Sequence, residues 1–87
     1  MDSQTLEEPL DLLRLALSQQ IYIKMRNNRD IKGKLISYDT HLNMILTDAE
    51  ETFWESDKKE VRRLPSVYLR GDGIILVSPV SKGIVGI

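Results

Sequence analysis

The sequence predicts a mostly-β fold, with a short N-terminal helix followed by a five-stranded, strongly bent antiparallel barrel. Three observations carry that expectation. From Ile21 onward, apolar and polar residues alternate along short runs, the period of a strand with one face on a core. Gly33 and Pro65 interrupt two of those runs, and such residues bend a strand or confine it to an edge. Two segments, GKLISYDTHLNMILTD (33–48) and VYLRGDGIILVS (67–78), each set a tight polar corner against an aliphatic strand.

Met1 to Glu8 is polar and reads as a loose arm. Pro9 suits the first turn of a helix, with Glu7, Glu8 and Asp11 near its positive end. Leu10, Leu13 and Leu17 recur at helical spacing, and Leu12 and Leu15 widen the stripe. A helix over about residues 9–18 follows, too short to stand without an apolar surface beneath it. Ile21 to Arg26 alternates as a first strand, and Asn27 and Asn28 form its turn, because asparagine tolerates positive φ. Ile31 to Tyr38 is the second strand, with Gly33 marking a sharp bend or a close backbone approach. Asp39 to Leu42 makes a corner, Asn43 to Glu55 a long third strand, and Ser56 to Glu60 a charged turn. Val61 to Leu69 is the fourth strand, placed at an edge or a bulge by Pro65. Arg70 to Gly73 turns into a short fifth strand, Gly73 to Val77, which Pro79 ends. The remainder, 80–87, reads as a flexible tail.

Composition narrows the class. Eighty-seven residues make one small domain. With no cysteine, disulfide staples, thiol catalysis and cysteine-based zinc sites are excluded. One histidine and scattered carboxylates argue against a dedicated transition-metal site. The uncharged run Gly73 to Val80 is far short of the roughly 20 residues a membrane helix needs. The acidic start has no basic region typical of a secretory signal, so a cytoplasmic or nuclear protein is expected. Net charge is −1. A chain that held nucleic acid by phosphates alone would show a basic stripe. RNA binding here would have to read bases, with several copies or partners sharing the work.

The two corners hold the residues with chemistry. Asp39, His41 and Asn43 stand in the first, and Arg70, Gly71 and Asp72 in the second. An acid, an imidazole, an amide and a guanidinium brought together suit one flat, hydrogen-bonding ligand such as a nucleobase. Each has a plainer reading. Asp39 is also a common turn former, and a lone histidine is usually a surface residue. An Asp39–His41 catalytic pair lacks a serine or second acid at a recognisable spacing, so no enzyme is expected. Arg70-Gly71-Asp72 spells an adhesion tripeptide, but its glycine is explained by the turn. Lys32, Lys34, Arg62 and Arg63 read as solvated strand faces or phosphate contacts. Phe53 and Trp54 fit either local packing or a neighbouring subunit. The fourth and fifth strands would leave bare edges that invite pairing with another chain.

IKGKLISYDTHLNMILTDAEE resembles the first motif of the Sm-like family, with glycine, aspartate six residues on and asparagine four beyond it. VYLRGDGIILVS resembles the second. EEPLDLLRLAL, IYIKMRN and HLNMIL look most like the third Sm-like paralogue of eukaryotes. The resemblance spans 7–52 and 61–79. It implies the Sm fold, an SH3-like bent barrel capped by a helix, as a single domain over 9–79. The first motif would occupy about 21–55 and the second about 61–78. It further implies a seven-membered ring of different Sm-like subunits, joined by pairing the fourth strand of one to the fifth of the next. Such rings bind uridine-rich single-stranded RNA ends. In the nucleus they act on the U6 spliceosomal RNA, and in the cytoplasm on mRNA decapping and decay. The base site would comprise Asp39, His41, Asn43, Arg70, Gly71 and Asp72. Asn43 would read the uracil edge, Asp39 would orient it, and His41 and Arg70 would sandwich the base. No cofactor is implied. A homo-oligomer is a further possibility for the chain expressed alone. One departure stands out: only FWESDKKE separates Thr52 from Val61, where that paralogue often carries a longer acidic insertion. The competing reading is a monomeric SH3-like adaptor for a protein or peptide. Its five aromatic residues are not clustered in sequence, which disfavours it. An oligonucleotide-binding fold would show more strand aromatics and a positive balance.

Overall fold

The structure, a computed structural model, describes residues 9–80. The expected arm at 1–8 and all but the first residue of the expected tail lie outside the described residues. In chain order the elements are α1 (Pro9–Ala16), β1 (Gln20–Met25), β2 (Arg29–Tyr38), β3 (Met44–Glu55), β4 (Lys58–Leu69), a 3-10 turn (Gly71–Gly73) and β5 (Ile74–Pro79). The strands form one antiparallel sheet in the order β4-β3-β2-β1-β5. Its bent inner face carries the core. Ile21, Ile23, Ile31, Leu35 and Leu46 are fully buried, with Met44 and Leu69 against them.

Helix α1 is shorter than its leucine pattern suggests. Ser18 takes a left-handed φ of 67°, and the Ser18 and Gln19 amides donate to Leu35 O and Ala16 O, both at 2.8 Å. The helix therefore closes at Ala16 rather than Ser18. Only Leu13 and Ala16 reach the core, while Leu15 is 71% exposed. An eight-residue helix makes just over two turns and buries a narrow stripe.

Asn27 and Asn28 adopt φ of 68° and 58°, the paired positive values of the hairpin turn that fits strand twist. At Gly33 the β2–β3 register shifts between Lys32 and Lys34. A Cβ there would meet Ala49 Cα and Cβ at 3.1 Å and Thr47 O at 3.2 Å. Close backbone approach, not backbone freedom, is what requires glycine at this bend. Gly33→Ala is expected to lower stability by about 1–3 kcal/mol, read from urea unfolding. An unchanged midpoint would mean that β3 yields without cost.

The β3–β4 connection differs from the expected five-residue turn. It is only Ser56 and Asp57, and Lys58, Lys59 and Glu60 are strand residues opposite Glu55, Trp54 and Phe53. Both faces of this hairpin meet solvent at its tip, so polar residues there carry no alternation to read. Pro65 does sit on an edge strand: the β3–β4 ladder passes from Thr47–Ser66 to Ala49–Leu64 without pairing it. Beneath the hairpin lies a buried carboxylate that the sequence did not suggest. Glu51 is 4% exposed, with Arg29 at 2.6 Å and Arg62 at 3.8 Å. Both guanidinium carbons stand over the Phe53 ring, at 5.4 and 5.8 Å. Arg62 stays on a solvated face, reaching Glu51 and the Phe53 ring only from its rim, and Phe53 packs locally against Arg29.

Candidate nucleic-acid interface

The first corner is built by Asp39. Its amide donates to Asn43 O at 3.1 Å, and the Leu42 amide returns to Asp39 O at 3.0 Å, closing the loop between β2 and β3. Leu42 takes a left-handed φ of 68° while its side chain packs against the core. That anchor lets the chain reverse with His41 and Asn43 on the outside. The Asp39 Oδ1 accepts from the His41 amide at 2.8 Å and the Asn43 amide at 3.1 Å. Its Oδ2 accepts from Asn43 Nδ2 at 2.9 Å.

The second corner docks on the first through one bond. The Gly71 amide donates to Asn43 Oδ1 at 2.8 Å. A carboxylate only accepts and an amide N–H only donates, so these two partners fix which way the Asn43 amide faces. One N–H and one oxygen lone pair of that amide remain free. Across the turn, Arg70 Nη2 lies 3.2 Å from Asp72 Oδ2, with both side chains mostly exposed. Arg26 Nε donates to Asp72 O at 3.1 Å, and the Arg26 amide to Gly73 O at 3.0 Å. This support from the end of β1 is legible only once β1 and β5 are known to pair.

His41, Asn43, Arg70, Gly71 and Asp72 line a cleft of about 430 Å³. Asp39 stands behind it, touching Asn43. All six residues singled out in the sequence therefore meet at one place, five on the cleft wall and one as its support. An imidazole and a guanidinium flank an amide with one free donor and one free acceptor. Such a site matches a flat heterocycle that presents an N–H beside a C=O. Among the described residues, no group of three or more His, Asp or Glu could hold a metal ion.

The Asp39 carboxyl is held below its ordinary value of 3.8, chiefly by the Asn43 side-chain amide, which with the His41 and Asn43 backbone N–H groups outweighs an opposing desolvation. A folded value below the unfolded one means that the network contributes fully above the unfolded value. The contribution is lost as pH falls through the folded one. As pH falls, the Asn43 side-chain amide resonances are expected to shift with a midpoint below 3.8. A midpoint at or above that value would show that the Asp39–Asn43 bond is not formed in solution.

The match to known proteins is extensive. Residues 11–79 fit the model of the LSM domain. The chain is 48% identical over 85 residues to the probable U6 snRNA-associated Sm-like protein LSm3 of Dictyostelium discoideum, covering 86% of this chain and 88% of that protein. Among solved structures it resembles the Pyrococcus abyssii Sm protein in complex with a uridine heptamer, at 34% identity and a TM-score of 0.73, covering 85% of this chain and 100% of that one. It also resembles a heptameric archaeal Sm protein, at 32% identity and a TM-score of 0.72, covering 82% and 98%. A bent five-stranded sheet, a helix at its head, both motifs joined at one cleft and a domain match across most of its length place this chain in the LSM domain family, the Sm-like proteins.

Proposed function

We propose that the chain is a non-enzymatic RNA-binding subunit of a seven-membered Sm-like ring, taking one base of a uridine-rich single-stranded RNA end in the corner cleft. The observation that carries this reading is the Asn43 amide, locked by Asp39 and Gly71 with one donor and one acceptor free. The N3–H and an adjacent carbonyl of uracil complement that pair. His41 and Arg70 supply planes for stacking, worth roughly 1–3 kcal/mol per base. One such cleft is weak, so affinity has to come from several linked around a ring. The unpaired edges of β4 and β5 support ring assembly, since Val61, Tyr68, Ile75 and Leu76 there are each half or more exposed. The uridine-bound and heptameric relatives point the same way.

The U6-associated name of the Dictyostelium relative supports a nuclear role on that RNA. With the resemblance to the third paralogue, we extend the proposal to a cytoplasmic ring acting in mRNA decapping and decay.

Native mass spectrometry of the purified chain, with and without a short oligouridine, tests the reading. A ring-sized species that retains the RNA is expected, with retention lost on Asn43→Ala or Arg70→Ala. A ring without RNA would shift binding to partner subunits. A stable monomer indifferent to RNA would favour the SH3-like adaptor.

A further inference from the structure

We propose that the outer face of the sheet is a second contact surface for single-stranded RNA, with a base stacked on Trp54 and flanking phosphates held by Lys32 and Lys59. The inference rests on the RNA-binding reading above and extends it to a surface remote from the corner cleft.

The residues that alternate with the core converge there. Tyr22 is paired with Lys32, Lys32 with Glu50, and Trp54 with Lys59 across neighbouring strands. They line an open cleft of about 280 Å³ together with Thr52 and Val61. The Tyr22 hydroxyl donates to Asp30, which fixes its ring. The Trp54 amide donates to Asn28 O at 3.1 Å, holding its backbone while the side chain stays 40% exposed.

Charge decides the occupant. On this face Lys24, Lys32, Lys34, Lys59 and Arg63 stand against Asp30, Asp48 and Glu50, five cations against three carboxylates. Lys24 lies 3.7 Å from Asp30 and Arg63 3.9 Å from Glu50. Lys32 and Lys59 have no ion pair among the described residues, leaving two uncompensated positive charges beside an exposed indole in a chain of net charge −1. A flat, sequence-tolerant stacking plane next to cations is how proteins hold single strands. An acidic peptide would use the lysines and leave the indole without a planar partner. Asn43 and Trp54 lie at opposite ends of β3, at most about 36 Å apart along the strand. A longer RNA seated at the corner therefore leaves more nucleotides free to reach Trp54 than a short one does.

Trp54 is the only tryptophan, so its fluorescence reports on this face alone. The full chain would be titrated with a seven-nucleotide oligouridine and with a mixed-sequence strand of about 20 nucleotides, following Trp54 emission and the anisotropy of labelled RNA. The longer strand is expected to quench Trp54 saturably. Lys32→Ala combined with Lys59→Ala should lower the salt slope of its affinity by about 1.4 and weaken it about 25-fold at 0.1 M salt. The same double variant should weaken the seven-nucleotide RNA less, because a strand seated at the corner leaves fewer nucleotides for this face. Binding of the longer strand without quenching, or with no effect of the double variant, overturns the inference and spares the corner cleft. Quenching by polyglutamate but not by RNA also overturns it, making the face a protein-docking surface. Binding of neither RNA would sink the RNA-binding reading of this chain and this inference together, while leaving ring assembly through β4 and β5 untouched.

Discussion

Gly71→Ala is expected to weaken oligouridine binding by roughly 5- to 150-fold per site, the loss of one stacked base contact at about 1–3 kcal/mol. A Cβ at position 71 would lie 1.9 Å from His41 O, 3.0 Å from His41 C and 3.1 Å from Leu42 C. All three are backbone atoms and cannot swing aside as a side chain would. Gly71 has no positive φ, so the requirement is for space and not for conformation. Either the first corner or the 3-10 turn must retreat, and both movements break the 2.8 Å bond from the Gly71 amide to Asn43 Oδ1. The Asn43 amide then keeps Asp39 but loses one of the two partners that hold it, and its free donor and acceptor are displaced from their places on the cleft wall. A stability cost of about 1–3 kcal/mol accompanies the displacement. Anisotropy with a labelled oligouridine and urea unfolding separate the two effects. Arg70→Ala is the contrast: an exposed side chain should leave the unfolding midpoint in place while weakening the RNA. If Gly71→Ala binds as well as the parent protein, the close approach of the corners does not fix Asn43.

What the sequence reveals depends on how local each interaction is. The Asn27–Asn28 turn rests on neighbouring residues and is legible from residue type. The Asp39–Asn43 bond spans four positions and follows from an acid and an amide in one corner. Gly71 and Asn43 are 28 residues apart, and only the resemblance of both motifs to one family implied that their corners meet. The end of α1 was hidden because it is set by the Ser18 and Leu35 contact, while the leucine pattern runs on to Leu17. The β3–β4 hairpin is hidden for the opposite reason. Its charged tip has no pattern at all, so a two-residue turn looked like five. Glu51 falls in the same blind spot. In a run of acids and threonines, nothing in AEETFWE distinguishes the carboxylate that the barrel buries from the one beside it that stays in contact with solvent.

That burial carries the largest expected loss of stability. Glu51→Met is expected to cost about 3 kcal/mol, the low end of what breaking a buried ion pair costs. The low end applies because its partners differ. Arg62 is 61% exposed and can return to water, whereas Arg29 is only 30% exposed. Arg29 Nε already has no hydrogen-bond partner, so without Glu51 the Arg29 charge is left beside the core with the Phe53 ring as its remaining contact. The penalty thus comes from the orphaned guanidinium more than from the missing attraction. Replacing both members should therefore recover most of it, since an apolar pair of similar volume often matches a buried ion pair. Urea unfolding of Glu51→Met, Arg29→Met and the double variant, at one fixed protein concentration because assembly adds to apparent stability, gives the coupling directly. A double variant within about 1 kcal/mol of the parent supports this account. If Glu51→Met alone costs less than about 1 kcal/mol, the typical value of a solvated pair, water reaches the carboxylate. The pair would then align the β3–β4 hairpin without stabilising it.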